Sequence, residues 1–329
     1  MGADQAGPPP VTVLCITGWC RNGSTIIGNI LNETPQVMHV GELHFLWKNS
    51  AGRGANNSCG CGRPLTECSF WAPIGALGAP SGQPFAEFAA EVVRRQRACV
   101  RTRHTWRILR RGLCSADLRE HAALMSATYR AIAERSGARV IVDTSKIPGE
   151  AALLARLPGV RTYFVHLVRD PRAVAESWRE PKEYVYAMSA AKSTLYWHGF
   201  NLATAAILRR HRDRSAFLRY EDFIADPAAA IDALLTLCGI PAEANPVRER
   251  TVDLHPNHTV TGNPDRFRTG RTVLRDADDR WMTGLRWPAK LAATALAWPL
   301  FTRYGYRLRG PRPRPATIRA EGARVGHRA

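Results

Sequence analysis

Residues 18–25, GWCRNGST, follow the β-branched run VTVLCIT and precede IIGNILNE. A strand, a glycine turn and a helix in that order make an anion cradle. Glycine lets a phosphate approach the backbone, and the free N–H groups of the helix start point at it. Gly18 and Gly23 have the spacing of the phosphate loop G-x-x-x-x-G-K-[ST], and Thr25 fills its hydroxyl position. Ser24 stands where that loop has lysine. Arg21, a permanent cation with a forked donor array, is the candidate replacement for the missing charge. A second candidate grip is VHLVRDPRAVAESW, 165–178, in which Arg169 ends a strand and Ser177 lies about two helical turns on. Asp143, after RVIV, is the one stand-in for a magnesium-binding strand end. Two basic grips with little provision for a metal point away from ATP and toward a nucleotide carrying two separate phosphates.

These residues need a frame. Short apolar runs at 11–17, 37–41, 139–143, 162–168 and 215–220 read as strands. Helical runs are expected at 24–33, 148–157, 171–180 and 227–238. That alternation predicts an α/β fold, a doubly wound parallel sheet with helices on both faces and a P-loop-like anion loop. Ligands of such sheets bind at the carboxyl ends of the strands. Residues 72–135 break the alternation. They read as a basic helical insertion between the second and third strands, expected over the strand ends where it would shape an acceptor pocket, or else as extra packing layers. Residues 1–10 and 310–329, rich in Pro, Gly and Arg, read as disordered tails around a single domain at 11–309.

The ordered motifs resemble those of sulfotransferases that use 3′-phosphoadenosine 5′-phosphosulfate (PAPS). CRNGSTIIGNIL is similar to their 5′-phosphosulfate loop, which implies Arg21, Asn22, Gly23, Ser24 and Thr25 around that group. LVRDPRAVAESW resembles their 3′-phosphate motif, with Arg169 and Ser177 at the family spacing. RYEDF, 219–223, resembles the segment whose tyrosine, here Tyr220, contacts the adenine. RFRTGRTVLRDADDRW, 266–281, resembles the late loop that closes on the 3′-phosphate and implies Arg268, Thr269 and Gly270, with Thr where cytosolic members have Lys. In heparan sulfate and tyrosylprotein relatives a Glu in the position of Glu42, within VGELHFLW, is the catalytic base. A partly buried carboxylate with a raised pKa suits removal of the acceptor's hydroxyl proton. His44 is the second candidate base. Lys146, in VDTSKIPGE, is implied to neutralise the transferring group together with Arg21. The reaction so implied moves a sulfuryl group to a hydroxyl of a sugar, glycolipid or secondary metabolite, with no metal required.

Two other functions stay open on the sequence. One is a kinase or NTPase with a degenerate phosphate loop, against which Ser24 argues. The other is a non-catalytic polyanion- or membrane-binding protein. Its basis is the net charge of +18 over 329 residues, dense in arginine at 94–111 and 307–329. No zinc-finger, RNA-recognition or helix-turn-helix signature supports nucleic acid. No apolar run reaches membrane-spanning length, and the N-terminus lacks a secretory pattern, so a cytoplasmic location is expected. Residues 286–308 read as an amphipathic closing helix that packs on the core or touches a membrane surface. Cys59, Cys61 and Cys68 in CGCGRPLTEC are close enough for zinc, with His44 a conceivable fourth ligand; a disulfide and free thiols are the alternatives.

Overall fold

The computed structural model describes residues 9–52, 56–179, 181, 186–274 and 280–308. Five strands, β1 (Val11–Thr17), β2 (Val37–Gly41), β3 (Val140–Lys146), β4 (Val160–Val168) and β5 (Ser215–Arg219), form one parallel sheet in the order β2-β3-β1-β4-β5. The central β1 is apolar on both faces, as a covered parallel strand must be. Val13 and Cys15 face one core with Tyr129, Ile132 and Leu153. Leu14 and Ile16 face the other with Ile27, Ile30 and Leu234. The α/β, doubly wound expectation therefore holds. The chain reverses its winding across β1, with β3 on one side and β4 on the other, so the loop after β1 opens at the switch point where such sheets bind ligands.

Helices Ser24–Asn32, Pro148–Leu154, Pro171–Arg179 and Pro227–Leu237 follow the strands as expected, within a few residues of the predicted ends. The insertion is helical, chiefly Phe85–Cys99 and Ala116–Ser136. It buries one face of the sheet through Met125, Tyr129 and Ile132. It reaches the strand ends through Gln96, whose amide bonds the backbone oxygen of His44 at 3.1 Å. Beyond that contact it packs on the sheet face instead of roofing the strand ends, because its apolar stripe suits that face and not a polar crevice.

The unexpected elements include two that bear on the site. Helix Ala190–Arg210 turns a stripe of small polar residues inward, Ser193, Thr194, Asn201 and Thr204, with Trp197 among them. Asn201 meets His166 of β4 at 2.9 Å. The second is an antiparallel hairpin of β6 (Thr251–Leu254) and β7 (Gly270–Val273). The closing segment forms helices Trp287–Ala297 and Leu300–Arg303. Ala293 and Ala297 of the first are buried, while Trp287 and Leu291 stay exposed. Among the described residues no helix is long and apolar enough to cross a membrane. The tail at 310–329 and residues 1–8 lie outside the described residues.

Candidate active site

The strand-to-helix turn after β1 is an anion cradle in shape. Arg21 takes a positive φ of 69°, and Gly23 has φ 90° directly before the helix that starts at Ser24. A side chain at Gly23 would stand 2.3 Å from the ring of Tyr220, so that ring lies against the bare loop backbone. Asn22 is buried and fastens the turn. It donates to the carbonyl of Leu167 at 2.9 Å and accepts from the N–H of Ser24 at 3.3 Å.

Arg169, at the end of β4, closes the cradle from the second strand. Its Nη1 donates to the carbonyl of Arg21 at 3.1 Å, and its guanidinium stacks 4.7 Å from the Tyr220 ring centre. Its backbone is held on both sides. Trp197 donates to its carbonyl at 3.0 Å, and Glu221 accepts from the N–H of Asp170 at 2.8 Å. Glu221 is buried, and burial followed by the charge of Asp170 pushes its carboxyl up to about 7. Arg21 stacks on Trp178, 5.1 Å from the ring centre, beside Ser177.

Glu42 follows β2 and reaches across to Lys146, which ends β3. Lys146 Nζ lies 2.5 Å from Glu42 Oε1 and 2.8 Å from the carbonyl of Thr144. Lys146 is buried and holds a φ of 63°, a left-handed backbone that a lysine adopts only when its surroundings enforce it.

One cavity of about 290 Å³ gathers these groups. Arg21, Gly23, Ser24, Thr25, Glu42, Lys146, Arg169, Ser177 and Tyr220 all line it. Asn22 supports it from behind. Arg268, Thr269 and Gly270 are not on its wall. They are exposed on the way into β7, and residues 275–279 of the late loop lie outside the described residues. The buried arginine of that stretch is Arg266, which donates to the carbonyl of Thr259 at 3.1 Å and to Asn56. His44, the second candidate base, turns off the cavity and meets Glu150 at 2.9 Å. Asp143 does not reach the cavity either. It is fully buried, and its oxygens accept from the N–H of Ser145 at 2.7 Å and the hydroxyl of Tyr129 at 2.5 Å.

Phe45 of VGELHFLW and Ile26 complete the wall, along with residues that no motif announced: Lys48, Asn49, Asn56, Thr261, Gly262, Asn263 and Asp265. Trp178 was legible only as the neighbour of Ser177. Cys20 also faces the cavity, and burial pushes its thiol up to about 11, so it stays protonated at neutral pH.

The sequence model of the sulfotransferase family matches residues 80–244, half of the chain, including Lys146, Arg169, Ser177 and Tyr220. The chain belongs to the sulfotransferase family. This sulfotransferase is similar in fold to the solved sulfotransferase domain from the curacin biosynthetic pathway. The two share 17% identity at a TM-score of 0.52, over 92% of this chain and 100% of that one. The sulfotransferase domain of the Synechococcus PCC 7002 olefin synthase aligns over 92% of this chain and 98% of its own, with 18% identity and a TM-score of 0.48. No curated protein sequence matches the chain.

Proposed function

We propose that this sulfotransferase takes PAPS as donor and transfers its sulfuryl group to an acceptor hydroxyl. The observation that carries the reading is the convergence of Glu42, Lys146, Arg21 and the Ser24–Thr25 helix start on one cavity. The residues suit the donor. Arg21, Ser24, Thr25 and the bare backbone at Gly23 offer cations, hydroxyls and N–H groups to a phosphosulfate. Arg169 and Ser177 offer a separate grip for a 3′-phosphate, and Tyr220 presents an aromatic face to a base. Asn22 acts through the turn it fastens.

In the reaction Glu42 accepts the proton of the acceptor hydroxyl as its oxygen attacks sulfur. Lys146 and Arg21 stabilise charge on the sulfuryl oxygens and the leaving phosphate. The S–O bond to the acceptor forms as the S–O bond to the 5′-phosphate breaks, giving a sulfate ester and 3′,5′-bisphosphoadenosine. The same cavity wall carries Lys48, Asn49, Asn56, Asn263 and Asp265 beside Phe45, and its polar groups support a polar acceptor such as a sugar or a polyhydroxylated metabolite. A cytoplasmic location fits this donor.

Calorimetric titration tests the reading. Strong preference for 3′,5′-bisphosphoadenosine over 5′-AMP and Mg-ATP is expected. Tight Mg-ATP binding without that preference would make the loop a degenerate nucleotide-triphosphate site and overturn it.

A further inference from the structure

A second cluster of reactive side chains lies off the cavity. Cys59, Cys61 and Cys68 come from the turn-rich segment that precedes the insertion, and His258 comes from the segment after β6. Their ligand atoms all lie within 4.8 Å of one another. His258 Nδ1 is 3.5 Å from Cys59 Sγ and 3.4 Å from Cys68 Sγ, and Cys61 Sγ is 3.8 Å from Cys68 Sγ. A tetrahedral zinc ion with bonds of about 2.3 Å to sulfur and about 2.0 Å to nitrogen sets S–S edges of about 3.8 Å and S–N edges of about 3.5 Å. Three of the six separations, 3.4, 3.5 and 3.8 Å, are those edges, and the other three are within 4.8 Å. A disulfide requires sulfurs about 2.05 Å apart and leaves one thiol and the imidazole unused.

We propose that Cys59, Cys61, Cys68 and His258 form a structural zinc site.

The donor set fits. Three thiolates and one imidazole favour zinc among common divalent ions, and each coordinating thiol gives its proton to solvent. Four protein ligands leave no open position, which marks a structural rather than a catalytic ion. The surroundings are built to hold the ligands in place. Cys59 and Cys68 are fully buried. The N–H of Cys61 points at Cys59 Sγ at 3.5 Å, and the N–H of Cys59 bonds the carbonyl of Arg63 at 2.7 Å, which closes the turn. Phe70 stacks on the His258 ring with centroids 5.1 Å apart, and Trp71 donates to the His258 carbonyl at 2.5 Å. Gly60 donates to Thr259 at 2.9 Å, and a side chain there would stand 2.2 Å from Asn257 Oδ1. The two segments are therefore pressed together at the cluster.

The site has a task in this fold. None of its four residues lines the cavity, yet both segments supply the cavity wall, Asn56 from one and Thr261 to Asn263 from the other. Asn56 bonds the carbonyl of Gly262 at 3.3 Å, and the carbonyl of Thr261 accepts the N–H of Glu42 at 3.2 Å. A zinc ion would clamp the wall that carries the base.

Metal analysis of the full chain purified without chelator is the test. About one zinc per chain is expected, along with a cobalt-substituted form showing thiolate-to-cobalt charge-transfer absorption. Cys68→Ser and His258→Ala should lower the bound zinc at least about tenfold, and His258→Cys, which keeps four donors, should restore it. The wild-type measurement stands even if a variant fails to fold. Metal-free protein that takes up no zinc on reconstitution, stoichiometric iron in its place, or a mass loss showing a disulfide among the three cysteines would each overturn the proposal.

Discussion

Glu42 and Lys146 meet at 2.5 Å with both side chains largely withdrawn from water, so each fixes the other's place on the cavity wall. Removing the carboxylate's basicity while keeping its shape isolates the proton-transfer role. Glu42→Gln should lower sulfuryl-transfer turnover about 10²- to 10⁴-fold, the range of a lost general base. The Kd for 3′,5′-bisphosphoadenosine should change little, because the grips are elsewhere. Single-turnover rates beside calorimetry separate the two, and retained turnover would move the base away from Glu42. Arg169→Ala should do the reverse. It should weaken the bisphosphate at least about tenfold more than 5′-AMP, as expected for a charge-assisted hydrogen bond, and equal losses would contradict the assigned grip. The residues proposed for this site were readable because chemistry restricts their types: a phosphate loop calls for glycine and hydroxyls, and Arg21 is the cation the sequence offers in place of the absent lysine. His258 was not legible. It stands 190 positions from Cys68 in the surroundings NHT, and only the fold brings the imidazole to the thiols.

At the scale of elements, the turn before the first helix is thin enough for the Tyr220 ring to lie against it, as the proposed cradle requires. Gly23→Ala adds a methyl 2.3 Å from that ring at a φ of 90°, so both the contact and the backbone resist it. Bisphosphate affinity should fall at least about tenfold, on the order of 1.4 kcal/mol, while the rest of the sheet stays folded. Calorimetry with circular dichroism checks it, and an unchanged Kd would mean that Tyr220 yields without disturbing the cradle. The strands were readable because covered parallel strands are short continuous apolar runs. Helix Ala190–Arg210 was not, since Ser193, Thr194, Asn201 and Thr204 interrupt its buried stripe of Trp197, Ala203, Ala206 and Ile207. Those polar residues answer polar groups of the sheet, as Asn201 does for His166. The β6–β7 hairpin was hidden for another reason: at four residues a strand, it has too little alternation to register.

Over the whole molecule, several titratable groups are buried in the sheet and beside it, where burial disfavours their charged forms. Asp143 and Glu221 are both pushed up, to about 6 and about 7, burial being the first cause in each. A carboxyl raised in the folded state contributes stability below its unfolded pKa and loses that contribution as pH rises through the folded value. For Glu221 the window runs from its ordinary value of 4.5 to about 7. His39 and His166 act in the opposite sense. Burial lowers them to about 3 and about 4, so their contribution is full above the ordinary histidine value and is lost as pH falls through those lower values. Stability is thus trimmed from both sides, and one substitution separates the arms. Glu221→Gln keeps an oxygen for the N–H of Asp170 and an amide to meet the hydroxyl of Tyr306, which now lies 3.0 Å from the carboxylate. It removes the charge. Wild-type protein should lose on the order of 2–3 kcal/mol through this group between about pH 4 and about pH 8, and the variant should not. Scanning calorimetry across that range should therefore show the variant gaining on the wild type as pH rises, with the acid arm unchanged. Parallel curves would mean that Glu221 titrates as an ordinary carboxylate, and that the segment holding Arg169 tolerates its charge.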